Sequence, residues 1–342
     1  MSTRQQVSWM VAAFSAVLVF GLIVWGGVVH NTGSSLACPD WPLCYGQVVV
    51  DTSALTPAQA RGVFWEHTHR YLGTLAGMCS IILVILLWRP FPTGPRLRGQ
   101  AILLLGLIIA QGVLGGVTVM LRLPTLVSTA HLALSLVVLG LAVRIVHALR
   151  RPATVETGPS DEVRFRLSAL RISIGMVLAT VYIQTILGAL VRHTASSVAA
   201  GAGWASALIG IDPNTMRHSL WPGYPPAQIN ILHRYAGLIV MILVVTLIYR
   251  LWKAWDGAPA QPRVWMTGAP IVLVTAQILI GILMLAAWMV DYQGINWRIV
   301  LQTLHLAVPT LLLASLYWLL LVTTDCVSIR PGSCEKPTFS QN

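Results

Sequence analysis

Residues 66–71 of the chain read EHTHRY, and residues 230–235, which lie 164 positions further along, read NILHRY. A second repeated element, HLA, stands at 131–133 and again at 305–307. Each of these four segments carries one histidine near the start of a long apolar run: His69, His131, His233 and His305. The chain therefore consists of two related halves, each with two histidines at matching positions.

The composition is typical of a membrane protein. Of the 342 residues, 56% are hydrophobic and only 10% are charged, whereas soluble proteins carry about 25% charged residues. A helix of about 20 apolar residues crosses the ~30 Å hydrocarbon core of a bilayer. We predict eight such spans, at about 8–29, 67–88, 99–120, 128–148, 170–191, 231–252, 267–290 and 300–322. The expected fold is an all-α polytopic membrane protein.

The repeat indicates how the spans are grouped. Four spans are used twice in the same orientation, because an even number of crossings returns the chain to its starting side. We therefore expect two pseudo-symmetric four-helix bundles, at 1–148 and 170–325. A linker at 149–169 would join them, and a tail would follow at 326–342.

The net charge of +11 reflects topology and does not indicate a nucleic-acid partner. Most cations lie in the short loops after the second, fourth and sixth spans. Because basic loops stay in the cytoplasm, both termini are predicted to be cytoplasmic, and the long loops 30–66 and 192–230 to lie outside. The sequence thus predicts a lipid-embedded, multi-pass protein of the plasma membrane, with its histidines toward the outer face.

Two imidazoles at one depth in each half indicate haem iron that is bound from both sides. Histidines inside a membrane face the bundle interior or a cofactor, because a polar side chain facing lipid is unfavourable. A zinc site would need three or four ligands. A di-iron bundle would need several carboxylates, yet Asn230 stands in the second half where the first has Glu66. Haem fits the residues best.

Three further residues are candidates for the chemistry of such a site. Arg70 and Arg234 follow their histidines, where a guanidinium could pair with a haem propionate; the alternative is an arginine that faces lipid headgroups. Glu66 places a carboxylate one turn from a histidine in the first half alone, so catalysis is predicted there. The alternative for Glu66 is a cap or an ion pair with Arg61 or Arg70 at the start of its helix.

The five cysteines divide by position. Cys38 and Cys44 lie in the first outer loop, where thiols tend to oxidise, so a disulfide is expected between them. Cys79, Cys326 and Cys334 are expected to be free and reduced.

Together these residues resemble the haem A synthase family of bacterial and mitochondrial membranes, over about residues 8–325. The residues that carry the resemblance are Glu66, His69, Arg70, His131, His233, Arg234 and His305. Cys38 and Cys44 look like the outer-loop cysteine pair of a bacterial subgroup. One departure is a second histidine, His67, beside the ligand motif, although the Glu-x-x-His register favours His69.

The resemblance implies an enzyme that oxidises a methyl group of haem O to a formyl group by successive hydroxylations, and whose product, haem A, serves cytochrome oxidases. By this resemblance His69 and His131 ligate haem O as substrate, and His233 and His305 ligate haem B as cofactor. Glu66 would then be catalytic, with water as the oxygen source.

Several points stay open at this stage. The implied partners are haem O synthase and an electron acceptor such as quinone. The cysteine pair either relays electrons or braces the loop. The alternative functions are a di-haem transmembrane cytochrome and a haem carrier.

Overall fold

The computed structural model describes residues 2–88, 94–150, 161–193, 225–255, 260–287 and 297–328. These residues form eight long helices and, within those ranges, no β-strand. In chain order, α1 to α8 span Thr3–Asn31, Pro57–Trp88, Gly94–Met120, Thr125–Arg150, Asp161–His193, Pro225–Ala254, Ala260–Ala287 and Trp297–Ser328. The predicted all-α polytopic fold is confirmed.

All eight helices are long and apolar enough to cross a membrane, and their most apolar windows have a mean hydropathy of 2.0 to 2.4. Large apolar side chains such as Val17, Ile85 and Phe165 lie on the outer surface of the bundle, with 65 to 77% of their area exposed. Such a surface is stable in contact with lipid, where backbone polar groups must be satisfied within helices. The protein is a multi-pass membrane protein.

Most helices extend beyond the predicted spans, above all at the start of α2; α7 begins earlier than predicted, and the last three residues of its predicted span, 288–290, lie outside the described residues. At the start of α2, Gln59 N donates to Thr56 Oγ1 at 3.3 Å, and Thr56 N donates to Gln59 Oε1 at 3.0 Å. This reciprocal capping box, with Pro57 as the first helical residue, begins the helix ten residues before its apolar run. Similarly, α5 begins at Asp161, so the predicted linker 149–169 overlaps the ends of α4 and α5. Residues 151–160 lie outside the described part of the chain.

The helices pack as two rings of four. In the first ring α1 and α3 each contact α2 and α4, and in the second α5 and α7 each contact α6 and α8. The rings meet where α1 and α4 contact α8 and where α4 contacts α5. Each ring has its own apolar core, centred on residues such as Leu83 and Leu136 in the first and Leu167 and Leu316 in the second.

The loop 32–56 between α1 and α2 folds back over one end of the first ring of helices. We call this end of the bundle the loop end. Cys38 and Cys44 form a disulfide, as predicted, and both are fully buried. The Asp40 carboxylate accepts hydrogen bonds from the backbone N–H groups of Tyr45 and Gly46, at 2.6 and 2.8 Å. Desolvation acts to raise the pKa of Asp40, but these N–H groups hold it below its ordinary value of 3.8. Of the other cysteines, Cys79 and Cys326 are free, and position 334 lies outside the described residues.

Candidate functional site with two histidine pairs

One cavity of about 1310 Å³ runs between the helices and reaches into both rings. It exceeds the roughly 300–1,000 Å³ that is usual for pockets of drug-sized ligands. All four sequence-predicted histidines line it: His69 on α2, His131 on α4, His233 on α6 and His305 on α8. The structure therefore brings the two histidine pairs to a common internal space and not to the lipid surface.

The second histidine pair has a spacing that suits one metal ion between its two imidazole rings. The ring centroids of His233 and His305 are 6.2 Å apart. Two metal–imidazole bonds of about 2.0–2.1 Å, with roughly 1.2 Å from each nitrogen to its ring centre, give a separation of about 6.4–6.6 Å. Because α6 and α8 occupy opposite corners of their ring, the two imidazoles approach from opposite sides.

Each of the four imidazoles packs against a glycine of a neighbouring helix. A Cβ atom added to that glycine would lie 2.9 to 3.3 Å from Cε1 of the histidine, closer than the ~3.5–4.0 Å of a favourable carbon contact. The glycines, in the order of their histidines, are Gly26, Gly115, Gly188 and Gly281. The absence of a side chain at these four glycines leaves the space that the imidazoles occupy, and any side chain there would displace an imidazole.

Three of these glycines are preceded, one helical turn earlier, by a glutamine: Gln111, Gln184 and Gln277. In each case the amide Nε2 donates to the backbone carbonyl of the histidine, at 2.7 to 3.1 Å. In the second ring of helices, Nε2 of Gln184 lies 3.0 Å from Nδ1 of His233, and Nε2 of Gln277 lies 3.1 Å from Nδ1 of His305. The sequence contains this pattern as a Gln-x-x-Leu/Ile-Gly repeat, but we did not predict its contact with the histidines. Leu22 takes the corresponding place before the glycine of α1.

Glu66 is 4% exposed, lines the cavity and is held from two sides. Its Oε1 accepts a hydrogen bond from Arg70 Nη2 at 2.5 Å, and its Oε2 accepts one from the backbone N–H of Cys38 at 2.8 Å. Arg70 Nη1 donates in turn to the backbone carbonyls of Asp40, at 2.6 Å, and of Leu43. The carboxylate thus joins α2 to the disulfide loop, and the ion pair weighed as an alternative is present at a cavity-lining position.

The two predicted propionate contacts differ in their surroundings. Both terminal nitrogens of Arg70 donate to protein groups, so the geometry favours a role in bracing the loop. Arg234 lines the cavity, and its Nη1 is buried with no hydrogen-bond partner among the described residues. Asn230, at the position of Glu66 in the second half, is 4% exposed and also lines the cavity.

Three cavity-lining residues at the loop end were missed by the sequence reasoning. The rings of His30 and His193 pack edge to face with centroids 4.6 Å apart, and Arg192 Nη2 donates to the carbonyl of Gly27 at 3.2 Å. His30 and Arg192 occupy the same place in the two halves, two residues before TGSS and TASS. This repeat position was the signal that could have identified His30 and Arg192.

The disulfide loop also covers part of the cavity. The indole of Trp41 lies on Gly116 of α3, so closely that an added Cβ would be 2.6 Å from the ring. Trp41 and Pro42 both line the cavity. The loop therefore forms a wall of the space beside His69 and His131.

The fold and the site together define a multi-pass helical membrane protein with two histidine pairs around one internal cavity. Comparison with known sequences agrees with this class. The chain matches the sequence profile of the cytochrome oxidase assembly protein family, COX15-CtaA, over residues 9–317. It belongs to this family.

Individual relatives are similar over most of their length. The haem A synthase of Geobacillus kaustophilus is 26% identical over 285 residues, which cover 82% of each chain. That of Shouchella clausii is 25% identical over 305 residues, 89% of this chain and 92% of the relative. That of Symbiobacterium thermophilum is 28% identical over 242 residues, 70% and 72% of the two chains. The predicted resemblance to the haem A synthase family is confirmed.

Proposed function

We propose that this protein is a haem A synthase that oxidises a methyl group of haem O to a formyl group by successive hydroxylations. Haem O would bind as substrate between His69 and His131, and haem B as cofactor between His233 and His305. The observation that carries the proposal is the 6.2 Å separation of the His233 and His305 rings beside a large cavity.

The polarity of the cavity suits a haem. Its walls are largely apolar, as the macrocycle requires, and include Ile108, Leu132 and Leu238. Arg70, Arg192 and Arg234 are the cations among the described residues that line the cavity, and Glu66 is the only acid among them. Haem carries two propionates, and guanidinium groups bind carboxylates through charge-assisted hydrogen bonds. We therefore assign propionate binding to Arg234, as predicted from the sequence, and to Arg192, which was not predicted. We assign to Arg70 the role of holding Glu66 in place.

When bound, haem B supplies a redox-active iron that can carry electrons away from the reaction. The chain's own residues orient it. The imidazoles of His233 and His305 would ligate the iron, and the amides of Gln184 and Gln277 hold the backbone that bears them. Partners of this kind fix the orientation of a metal-ligating histidine.

Glu66 is the carboxylate of the first half that lines the cavity, and it can take a proton. Its carboxylate is fixed by Cys38 N–H and Arg70, beside the cavity that His69 also lines. Each hydroxylation breaks one C–H bond of the methyl group, whose proton is released and whose two electrons pass to an acceptor such as quinone, while water supplies the oxygen of the new C–O bond. A carboxylate in this position can accept the proton that this water loses as its oxygen bonds to the oxidised carbon. Asn230, its counterpart, cannot accept a proton, so we place catalysis in the first half and electron transfer in the second.

The test is expression with a source of haem O, followed by chromatography of the extracted haems. The wild type should accumulate hydroxylated and formyl haem. Glu66→Gln should keep its haem B and lose the conversion, whereas Glu162→Gln, an exposed glutamate of α5, should convert haem O normally. Full conversion by Glu66→Gln would remove Glu66 from the mechanism.

The same experiment separates the alternatives. Unchanged haem O with the wild type would favour a di-haem cytochrome or a haem carrier. In water labelled with heavy oxygen, the hydroxylated product should carry the label; label that arrives only from dioxygen would contradict water as the oxygen source.

The cellular setting is part of the proposal. From the distribution of basic loops we place the protein in the plasma membrane with cytoplasmic termini and the loop end outside. Haem O synthase would supply the substrate, and an acceptor such as quinone would remove the electrons. A membrane-impermeant reagent should label a cysteine introduced at exposed Val49 in intact cells if this orientation holds.

A further inference from the structure

A second group of metal-binding side chains lies outside the haem cavity. The Sγ atoms of Cys38 and Cys44 and a ring nitrogen of His67 all lie within 4.8 Å of one another. The two cysteines are fully buried and His67 is 7% exposed. None of the three lines the cavity described above.

The hydrogen bonding of His67 leaves one nitrogen available to a metal. Its Nε2 lies 2.6 Å from the carbonyl oxygen of Val48. Since a carbonyl can only accept, Nε2 carries a proton, and in the neutral ring Nδ1 then carries the lone pair. Nδ1 is buried and has no hydrogen-bond partner among the described residues. Metal-ligating histidines have this arrangement, with one nitrogen donating to a carbonyl and the other on the metal.

The ring of His67 is also held in place. Tyr71 packs against it with ring centroids 4.3 Å apart, and the Tyr71 hydroxyl donates to the same Val48 carbonyl. A ligand whose orientation is already set loses little conformational entropy when it binds a metal.

Comparison of the two halves shows that packing alone does not require a histidine here. The residue at the matching position, 164 residues further along, is Ile231, which is 1% exposed. An apolar side chain therefore fills this place in the second half, where the corresponding loop contains no cysteine. Histidine occurs in the half that has the cysteine pair.

We propose that Cys38, Cys44 and His67 bind one Cu(I) ion when the disulfide is reduced. A dithiol reductant supplies two electrons and two protons, breaks the S–S bond and becomes a cyclic disulfide. Cu(I) then replaces the two thiol protons, which are released, and takes His67 Nδ1 as its third ligand. Thiolates are soft ligands that select Cu(I), whereas structural zinc almost always takes four ligands, and this cluster offers three.

The experiment uses the full-length protein, reduced with dithiothreitol and desalted without oxygen. Cu(I) bound to bicinchoninate is then titrated with protein, and the loss of colour reports copper transfer. The reduced wild type should remove one equivalent more than the unreduced wild type or the reduced Cys38→Ser/Cys44→Ser variant. His67→Gln should weaken this binding at least about tenfold, whereas His147→Gln, a histidine of α4 far along the chain from the loop, should bind as the wild type does.

Equal copper uptake by the reduced wild type and the double serine variant would overturn the proposal, as would preferential binding of zinc. X-ray absorption of the copper-loaded wild type provides a second measurement that needs no variant. Two sulfur ligands and one nitrogen ligand are expected, and coordination by sulfur alone would exclude His67.

Discussion

The contact between Gly188 and His233 leads to a prediction whose size follows from the geometry. A Cβ at position 188 would lie 2.9 Å from Cε1 of His233, whereas favourable carbon contacts begin at about 3.5 Å. Gly188→Ala must therefore move the ring by about 0.6 Å, more than the ~0.5 Å that functional geometry usually tolerates. Overpacking costs about 1–3 kcal/mol. With haem B held by His233 as proposed, this cost corresponds to roughly 5- to 150-fold weaker haem binding.

The chain offers a matched control on the same helix. A Cβ at Gly175 would meet nothing within 4 Å, so Gly175→Ala should bind haem normally and gain up to about 1 kcal/mol of helix stability. Gly281→Ala, with a contact of 3.3 Å, should fall between the two. The assay is the rate of haem loss to apomyoglobin, together with the haem-to-protein ratio after purification. Equal haem retention by Gly188→Ala and Gly175→Ala would refute the reasoning.

Three further predictions concern other contacts. Gln277→Leu removes a hydrogen bond worth about 1 kcal/mol, so haem B should dissociate roughly fivefold faster; an unchanged rate would show that the amide does not hold His305. Gly116→Ala must displace Trp41, so haem O conversion should fall while haem B content stays constant, as haem extraction would show. Because the pKa of Asp40 is lowered in the folded loop, its carboxylate stabilises the loop above its ordinary pKa, and this contribution is lost as the pH falls below about 4. Reduction of the disulfide by a phosphine should therefore accelerate below that pH, and Asp40→Asn should be fast at every pH; a rate independent of both would contradict this role.

The helices and the histidine positions could be predicted from the sequence because a bilayer allows few alternatives. A run of apolar residues long enough to cross must form a helix, and a repeat of 164 residues places His69 and His233 at the same depth. The start of α2 could not be found in this way. Its first turns are polar and depend on the capping box at Thr56 and Gln59, a signal that hydropathy does not detect.

Contacts between helices were harder to predict than the helices themselves. The glutamine and glycine repeat was visible, but which helix faces which histidine depends on the packing of eight helices. Arg70 is the clearest example. From the sequence, Arg70 could contact a propionate or pair with Glu66. In the structure its guanidinium donates to Glu66 and also to a loop that folds back from residues 32–56, and this second contact was not predicted. Sequence spacing alone does not show where such a loop returns.

The hydrogen bond from Cys38 N–H to Glu66 has a consequence for how the protein matures. The acid reaches its place only when the loop closed by Cys38 and Cys44 has folded, and that closure requires an oxidising compartment. A newly made chain that is still being inserted thus contains Glu66 without the hydrogen bond from Cys38 that positions its carboxylate. If Glu66 is the proton acceptor proposed above, a copy whose loop has not yet closed would be unable to convert its substrate, and maturation of the loop would control the onset of activity.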